Sequence, residues 1–246
     1  MEAALKIRHA VAQVALLRNV ALDNPGLSDA VRDVKRVQAL RFAGTYADLL
    51  SGGPYAAPAR FFLEELYSDK DYAERDAQFA RIAGAIEKLF PEQVAGTAVT
   101  LAELHALTEE LDQAMGLAWL AQADGRSEAQ RYVAAWREVG RRPDREAQLK
   151  VVMGIGEQMV RLTRTPGLRM LLKMMRGPAS AAGLASLQHF LETGFDTFAS
   201  MVRTPQGAPT FLRTIEARES ALIARLFDAD RVACETELAR TLGQLP

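Results

Sequence analysis

A chain of 246 residues, 49% hydrophobic and 25% charged, can bury a core of its own and needs neither disulfide nor metal to fold. Its 30 basic and 31 acidic side chains leave a net charge of −1, so it lacks the cationic surplus that nonspecific nucleic-acid binding draws on. The single cysteine, Cys234, rules out an internal disulfide and any CxxC metal or redox motif, and it fits a reducing compartment.

Proline and glycine divide the chain. An amphipathic pattern predicts a first helix over residues 2–22, stopped by Asn24-Pro25-Gly26. Ser28 or Asp29 then caps a second helix reaching Leu50, and Ser51-Gly52-Gly53-Pro54 breaks it. Pro58 stands at a helix start, ahead of the short apolar run Ala59–Tyr67. Asp69 caps a helix reaching Phe90, where Pro91 stops or kinks it. A long helix over 99–122 ends near Asp124-Gly125, and Ser127-Glu128 start another that reaches Val139. Arg142-Pro143-Asp144 precede a helix over 145–164. Thr165-Pro166-Gly167 open a short basic helix to Arg176, and Gly177-Pro178 open one ending near Arg203. Pro205 to Pro209 is a loop, a long helix covers 210–228, and a shorter one follows.

No window alternates like a half-buried strand, whereas helical stripes recur. Tyr72, Phe79, Ala83, Ile86 and Phe90 share one face; Leu101, Leu104, Leu111, Met115 and Ala118 share another. Leu184, Leu187, Leu191, Phe195, Phe198 and Val202 form a third stripe, and Leu212, Ile215, Leu222 and Leu226 a fourth. Such stripes mean helix on helix. The expected fold is all-α: a single-domain bundle of about eight to ten helices around the short apolar helix Phe61–Tyr67. Short connectors favour one domain over residues 1–246, with only a faint sign of a sub-boundary near 140–144. No stretch approaches the roughly 18 apolar residues of a membrane span, and Ala10–Leu17 is too short for a signal peptide. The expected location is the cytoplasm.

Residues 61–67 read Phe-Phe-Leu-Glu-Glu-Leu-Tyr, followed by Ser68-Asp69-Lys70-Asp71-Tyr72 and Glu74-Arg75-Asp76. This resembles a bacterial protein family named for its FFLEELY motif, and Gly177-Pro178, Ala182-Gly183-Leu184 and Phe190-Leu191-Glu192 are similar to it as well. The resemblance implies no activity and no catalytic or binding residue.

Function must therefore be sought in polar residues that interrupt apolar patterns. Glu64 and Glu65 lie on a helix apolar nearly all round, so they reach water, pair with arginines such as Arg41 or Arg75, or line a ligand site. Asp76 falls between Tyr72 and Phe79 and should face a helix pair, its partner coming from another helix. His105 shares a side with Thr108, Glu109 and Asp112; it is either an acid–base or ligand-binding histidine or one making an i,i+4 contact to Glu109. Glu219 falls between Ile215 and Leu222. These five, Glu64, Glu65, Asp76, His105 and Glu219, are the candidate ligand-binding residues. His9 and His189 have less around them.

Enzyme signatures are missing from the sequence. The residues three before the histidines are Lys6, Ala102 and Ser186, so the Glu-x-x-His pair of di-iron bundles is absent. No HExxH, GxSxG, P-loop or dinucleotide fingerprint occurs, and Gly154-Ile155-Gly156 reads as close helix packing or a bend. No metal site is expected and no cofactor can be named. Leu168–Arg176 is a short basic amphipathic segment that either packs Met and Leu inward or touches a membrane surface or partner helix. Arg131, Tyr132, Trp136, Arg137, Arg141 and Arg142 form a basic, aromatic cluster, but Glu128, Glu138 and Asp144 flank it, so no nucleic acid is expected. The leading expectation is a non-catalytic binding or interaction protein, self-associating or with a protein partner. The alternative is a bundle with an internal cofactor, metal or small apolar ligand site.

Overall fold

The computed structural model describes residues 2–65, 72–122, 125–202 and 207–244. These residues are helical with no strand among them: α1 (Glu2–Leu22), α2 (Pro25–Thr45), α3 (Ala47–Leu50), α4 (Ala56–Glu65), α5 (Ala73–Leu89), α6 (Glu92–Ala121), α7 (Glu128–Val139), α8 (Arg142–Leu162), α9 (Leu168–Met174), α10 (Arg176–Ala181), α11 (Ala185–Val202), α12 (Gly207–Asp228) and α13 (Arg231–Thr241). Ten of them have ten residues or more; α3, α9 and α10 are short.

Local chemistry explains the ends. α2 starts earlier than Ser28: the Asn24 side chain accepts from the Leu27 N–H at 3.3 Å, and Pro25 takes the first helical position, where its missing N–H costs nothing. α7 carries a capping box, Ser127 and Gln130 each bonding the other's backbone. α6 begins right after Pro91, seven residues before the expected Val99, because Val94, Ala95 and Ala98 continue its inward face. The helix expected over 178–203 is instead α10 and α11, separated where Gly183 adopts φ 66°. Leu66, Tyr67 and Asp69, part of the expected short helix and its following turn, lie outside the described residues.

The chain divides into two compact units. One comprises Met1–Ala15, Lys70–Ala106 and Val151–Leu212; the other comprises Leu16–Asp69, Leu107–Lys150 and Arg213–Pro246. The first unit packs Ala4, Ile7, Ala10 and Val14 of α1 against Ala83 of α5 and Ala102 and Ala106 of α6. With so many alanines these helices approach closely. A second cluster there joins Leu162, Leu168 and Phe195, with Leu171 and Leu172 packed against it. Gly156 belongs to this close packing: an added Cβ would come within 2.5 Å of Leu212 Cδ2.

The core of the second unit is built from Val34 and Val37 of α2, Met115 and Trp119 of α6, Val133 and Trp136 of α7, Leu226 of α12 and Leu238 of α13, among others. Arginines finish several helices in both units. Arg81 donates to the Ala182 and Gly183 carbonyls beyond α10, Arg137 to Leu226 and Ala229 at the end of α12, Arg131 to Trp119 near the end of α6, and Arg218 to Thr45 at the end of α2. These cations donate to carbonyls at or just beyond helix ends, where the helical hydrogen-bond ladder runs out.

Candidate functional site

The most polar interior lies in the second unit, where α2, α6 and α12 each place a charge among apolar neighbours. On α6, Glu109 and Asp112 are both buried. Glu109 accepts from Arg18 Nη2 on α1 at 2.8 Å and from Lys35 Nζ on α2 at 2.8 and 2.9 Å. Asp112 accepts from Gln38 Nε2 at 3.0 Å, with Lys35 Nζ at 4.0 Å. Burial opposes ionisation of Glu109, but the charges of Lys35 and Arg18 outweigh it and hold its carboxyl below the ordinary value. Burial pushes the Asp112 carboxyl up, and the nearby Glu109 charge adds to that against Lys35 and Gln38.

One helix turn along α2 from Gln38, buried Arg41 donates through Nη1 to Glu219 Oε1 of α12 at 2.5 Å. The Tyr46 hydroxyl donates to the same oxygen at 2.9 Å, and the Tyr46 ring rests 4.4 Å from that of Phe42. Tyr132 stands near Gln38, Arg145 and Asp112, and burial raises its phenol pKa. Buried Arg145 stacks over Trp136 at 4.3 Å. Glu219 is thus buried, as its place between Ile215 and Leu222 requires, and acts as the acceptor for two donors on α2 and just beyond it.

In the first unit Asp76 of α5 is buried and His105 of α6 partly so, with His105 Nε2 2.9 Å from Asp76 Oδ2. Asp76 therefore meets a partner from another helix, and the carboxylate found beside His105 is on α5 rather than Glu109 at i,i+4. Gln78, two residues on, takes the Leu187 N–H at 2.9 Å and donates to Glu74. Arg75 lies over the Tyr72 and Phe190 rings at 3.9 and 4.4 Å.

Glu64 and Glu65 close α4. Glu64 is exposed and Glu65 half-buried, while Phe61 and Phe62 of the same helix are buried edge to face, 6.3 Å apart. The candidates thus fall into separate groups: Glu64 and Glu65 on α4, Glu219 with Arg41 and Tyr46, and Asp76 with His105. Glu109 and Asp112 were not among them. Their acidic character on a leucine-rich helix was visible, but their cations come from residues 91 and 74 positions away.

Among the described residues no three His, Cys, Asp or Glu side chains gather as metal ligands, and no helix is long and apolar enough to cross a membrane. Burial raises the Cys234 thiol pKa, and its side chain is part of the core of the second unit. The depression between Arg169, Leu172, Lys173, Glu192, Phe195 and Asp196 is shallow and open to solvent and encloses no cavity for a small molecule. The basic, aromatic cluster is drawn into its own fold: Tyr132 and Trp136 are core, Arg131 covers Trp119, and Arg142 meets Asp228 and lies over Phe227.

No curated protein and no solved structure matches the chain. Residues 17–233 match a family model described as "Domain of unknown function (DUF8198)". That match spans both units and most of the chain, so the protein belongs to the DUF8198 family.

Proposed function

We propose that this protein is a non-catalytic cytoplasmic interaction protein that associates with a second copy of itself through the C-terminal parts of α1 and α6, which belong to the second unit. The carrying observation is the display of large apolar side chains there. Leu16 is 64% exposed and Leu117 54%, and Val20 and Leu120 are exposed beside them. Leu16 and Val20 are one turn apart on α1, as are Leu117 and Leu120 on α6. The helices are neighbours at this level, because Gln113 Nε2 of α6 donates to the Leu17 carbonyl at 2.9 Å. Grouped exposed leucines mark a contact surface. A two-fold contact must be complementary to itself, which suits apolar side chains, and the Arg18 and Glu109 charges of the same two helices are already paired with each other.

Sedimentation velocity over a concentration series tests this reading with wild type and a Leu16→Glu/Leu117→Glu variant. A dimer in the wild type, lost in a variant with unchanged circular dichroism, supports it. A wild type that stays monomeric at every concentration overturns it.

The same reading takes residues 1–246 as one domain around the α4 helix and places the chain in the bacterial family named for the motif at Phe61–Tyr67. It takes protein rather than nucleic acid as partner. A second reading, an internal ligand or acid–base site among Glu64, Glu65, Asp76, His105 and Glu219, draws its support from one pair. His105 keeps some exposure while buried Asp76 orients its ring, an arrangement suited to proton transfer.

A further inference from the structure

Between Glu157 and Glu192 the sequence has no acidic residue, yet it carries Arg161, Arg164, Arg169, Lys173 and Arg176, in a chain whose net charge is −1. The structure sorts the side chains of α9 within this stretch. Leu168 is buried, and Leu171 and Leu172 pack on the core with Phe195. Met170 and Met174, one turn apart, instead stand 67% and 66% exposed, although three leucines already supply the helix with its inward face. On the helical wheel Arg169 and Lys173 lie together along one side of the two methionines, on the outward half of the helix. The segment that follows is exposed but small, with Gly177, Ala181, Ala182 and Gly183, so it offers no bulk that would hold a flat surface away from α9.

We propose that α9 docks on an anionic membrane surface, with Met170 and Met174 entering the headgroup layer and Arg164, Arg169 and Lys173 meeting the lipid charges. A short interfacial helix needs apolar side chains on its outward face with cations beside them, and this is that pattern. Thioether side chains adapt to an irregular environment. Arg169 pairs with Asp196 at 2.9 Å, both side chains about half exposed, so the pair is weak and can exchange for lipid phosphate. Arg176 is already held by both carboxylate oxygens of Glu192 on α11 and is not needed for the contact. The inference is independent of self-association, which uses other residues in the other unit.

Co-sedimentation of the full chain with vesicles tests it. One vesicle is phosphatidylcholine alone; the other contains about a third phosphatidylserine. Binding should appear on the anionic vesicles and fall steeply with salt. Lys173→Glu should weaken it more than roughly fivefold, since each cation near such a surface is worth about that factor. Met170→Ser/Met174→Ser, at exposed positions that leave the fold intact by circular dichroism, should weaken it further. Equal binding to both vesicles, no binding to either, or binding that survives both variants would overturn the proposal. Retention on an acidic polypeptide without vesicle binding would also overturn it, in favour of a protein partner.

Discussion

Glu109 and Asp112 lie one turn apart on α6, yet their surroundings drive the two carboxyls in opposite directions. Arg18 and Lys35 together hold Glu109 below its usual 4.5, while burial holds Asp112 above its usual 3.8. A depressed carboxyl stabilises the fold above its unfolded pKa and loses that contribution as pH falls through its folded value. A raised carboxyl favours the fold at low pH and loses that contribution as pH rises through its folded value.

Glu109→Gln should therefore cost about 2–4 kcal/mol at neutral pH, because two part-buried cations lose their acceptor, and the cost should shrink toward acid pH. Asp112→Asn keeps an acceptor for Gln38 and removes a buried charge. It should leave neutral-pH stability equal to wild type or higher by up to ~1 kcal/mol. Urea unfolding across the acid-to-neutral range reads both. An Asp112→Asn penalty as large as that of Glu109→Gln would show that Asp112 is held as a required anion.

Arg41 and Tyr46 share one oxygen of Glu219. Glu219→Ala should cost about 3 kcal/mol, since it strands a buried guanidinium. Tyr46→Phe should cost about 1 kcal/mol, because it removes one hydrogen bond and keeps the ring against Phe42. In a double-mutant cycle of Glu219→Ala with Tyr46→Phe the two losses should fall short of additive, because both variants remove the same Tyr46–Glu219 hydrogen bond. Full additivity would mean that this hydrogen bond contributes nothing to stability.

Gly44 and Gly96 are both helical and exposed, but only Gly44 is intolerant. A Cβ at Gly44 would sit 2.0 Å from the Thr241 carbonyl oxygen, at the backbone end of α13, where nothing can swing aside. Gly44→Ala should cost at least about 2 kcal/mol. Gly96 has nothing within 4 Å, so Gly96→Ala should stabilise by about 0.5–1 kcal/mol. Thermal melts of the two variants check the contrast, and a neutral Gly44→Ala would show that α13 yields.

Helix starts and stops were largely legible because they depend on neighbours in sequence: Pro91, Ser127 with Gln130, and Gly167 each act within one turn. The burial of Asp76 and Glu219 was legible from periodicity alone. What each meets was not, because helix spacing names the inward face and never the helix opposite. His105 shows this: its own helix offered Glu109 at the right spacing, but Glu109 serves Arg18 and Lys35, and Asp76 of α5 takes the histidine. In Leu168–Arg176, composition could not say whether the methionines pack inward. The structure leaves Met170 and Met174 outside because Leu168, Leu171 and Leu172 cover the core contact.

Native mass spectrometry of the protein as purified separates an interaction protein from one holding a ligand inside. The account predicts masses at whole multiples of the bare chain, with the dimer growing with concentration and nothing added to either species. A reproducible extra mass on the monomer, retained under gentle ionisation and lost on unfolding, would contradict it and shift the function to an internal site.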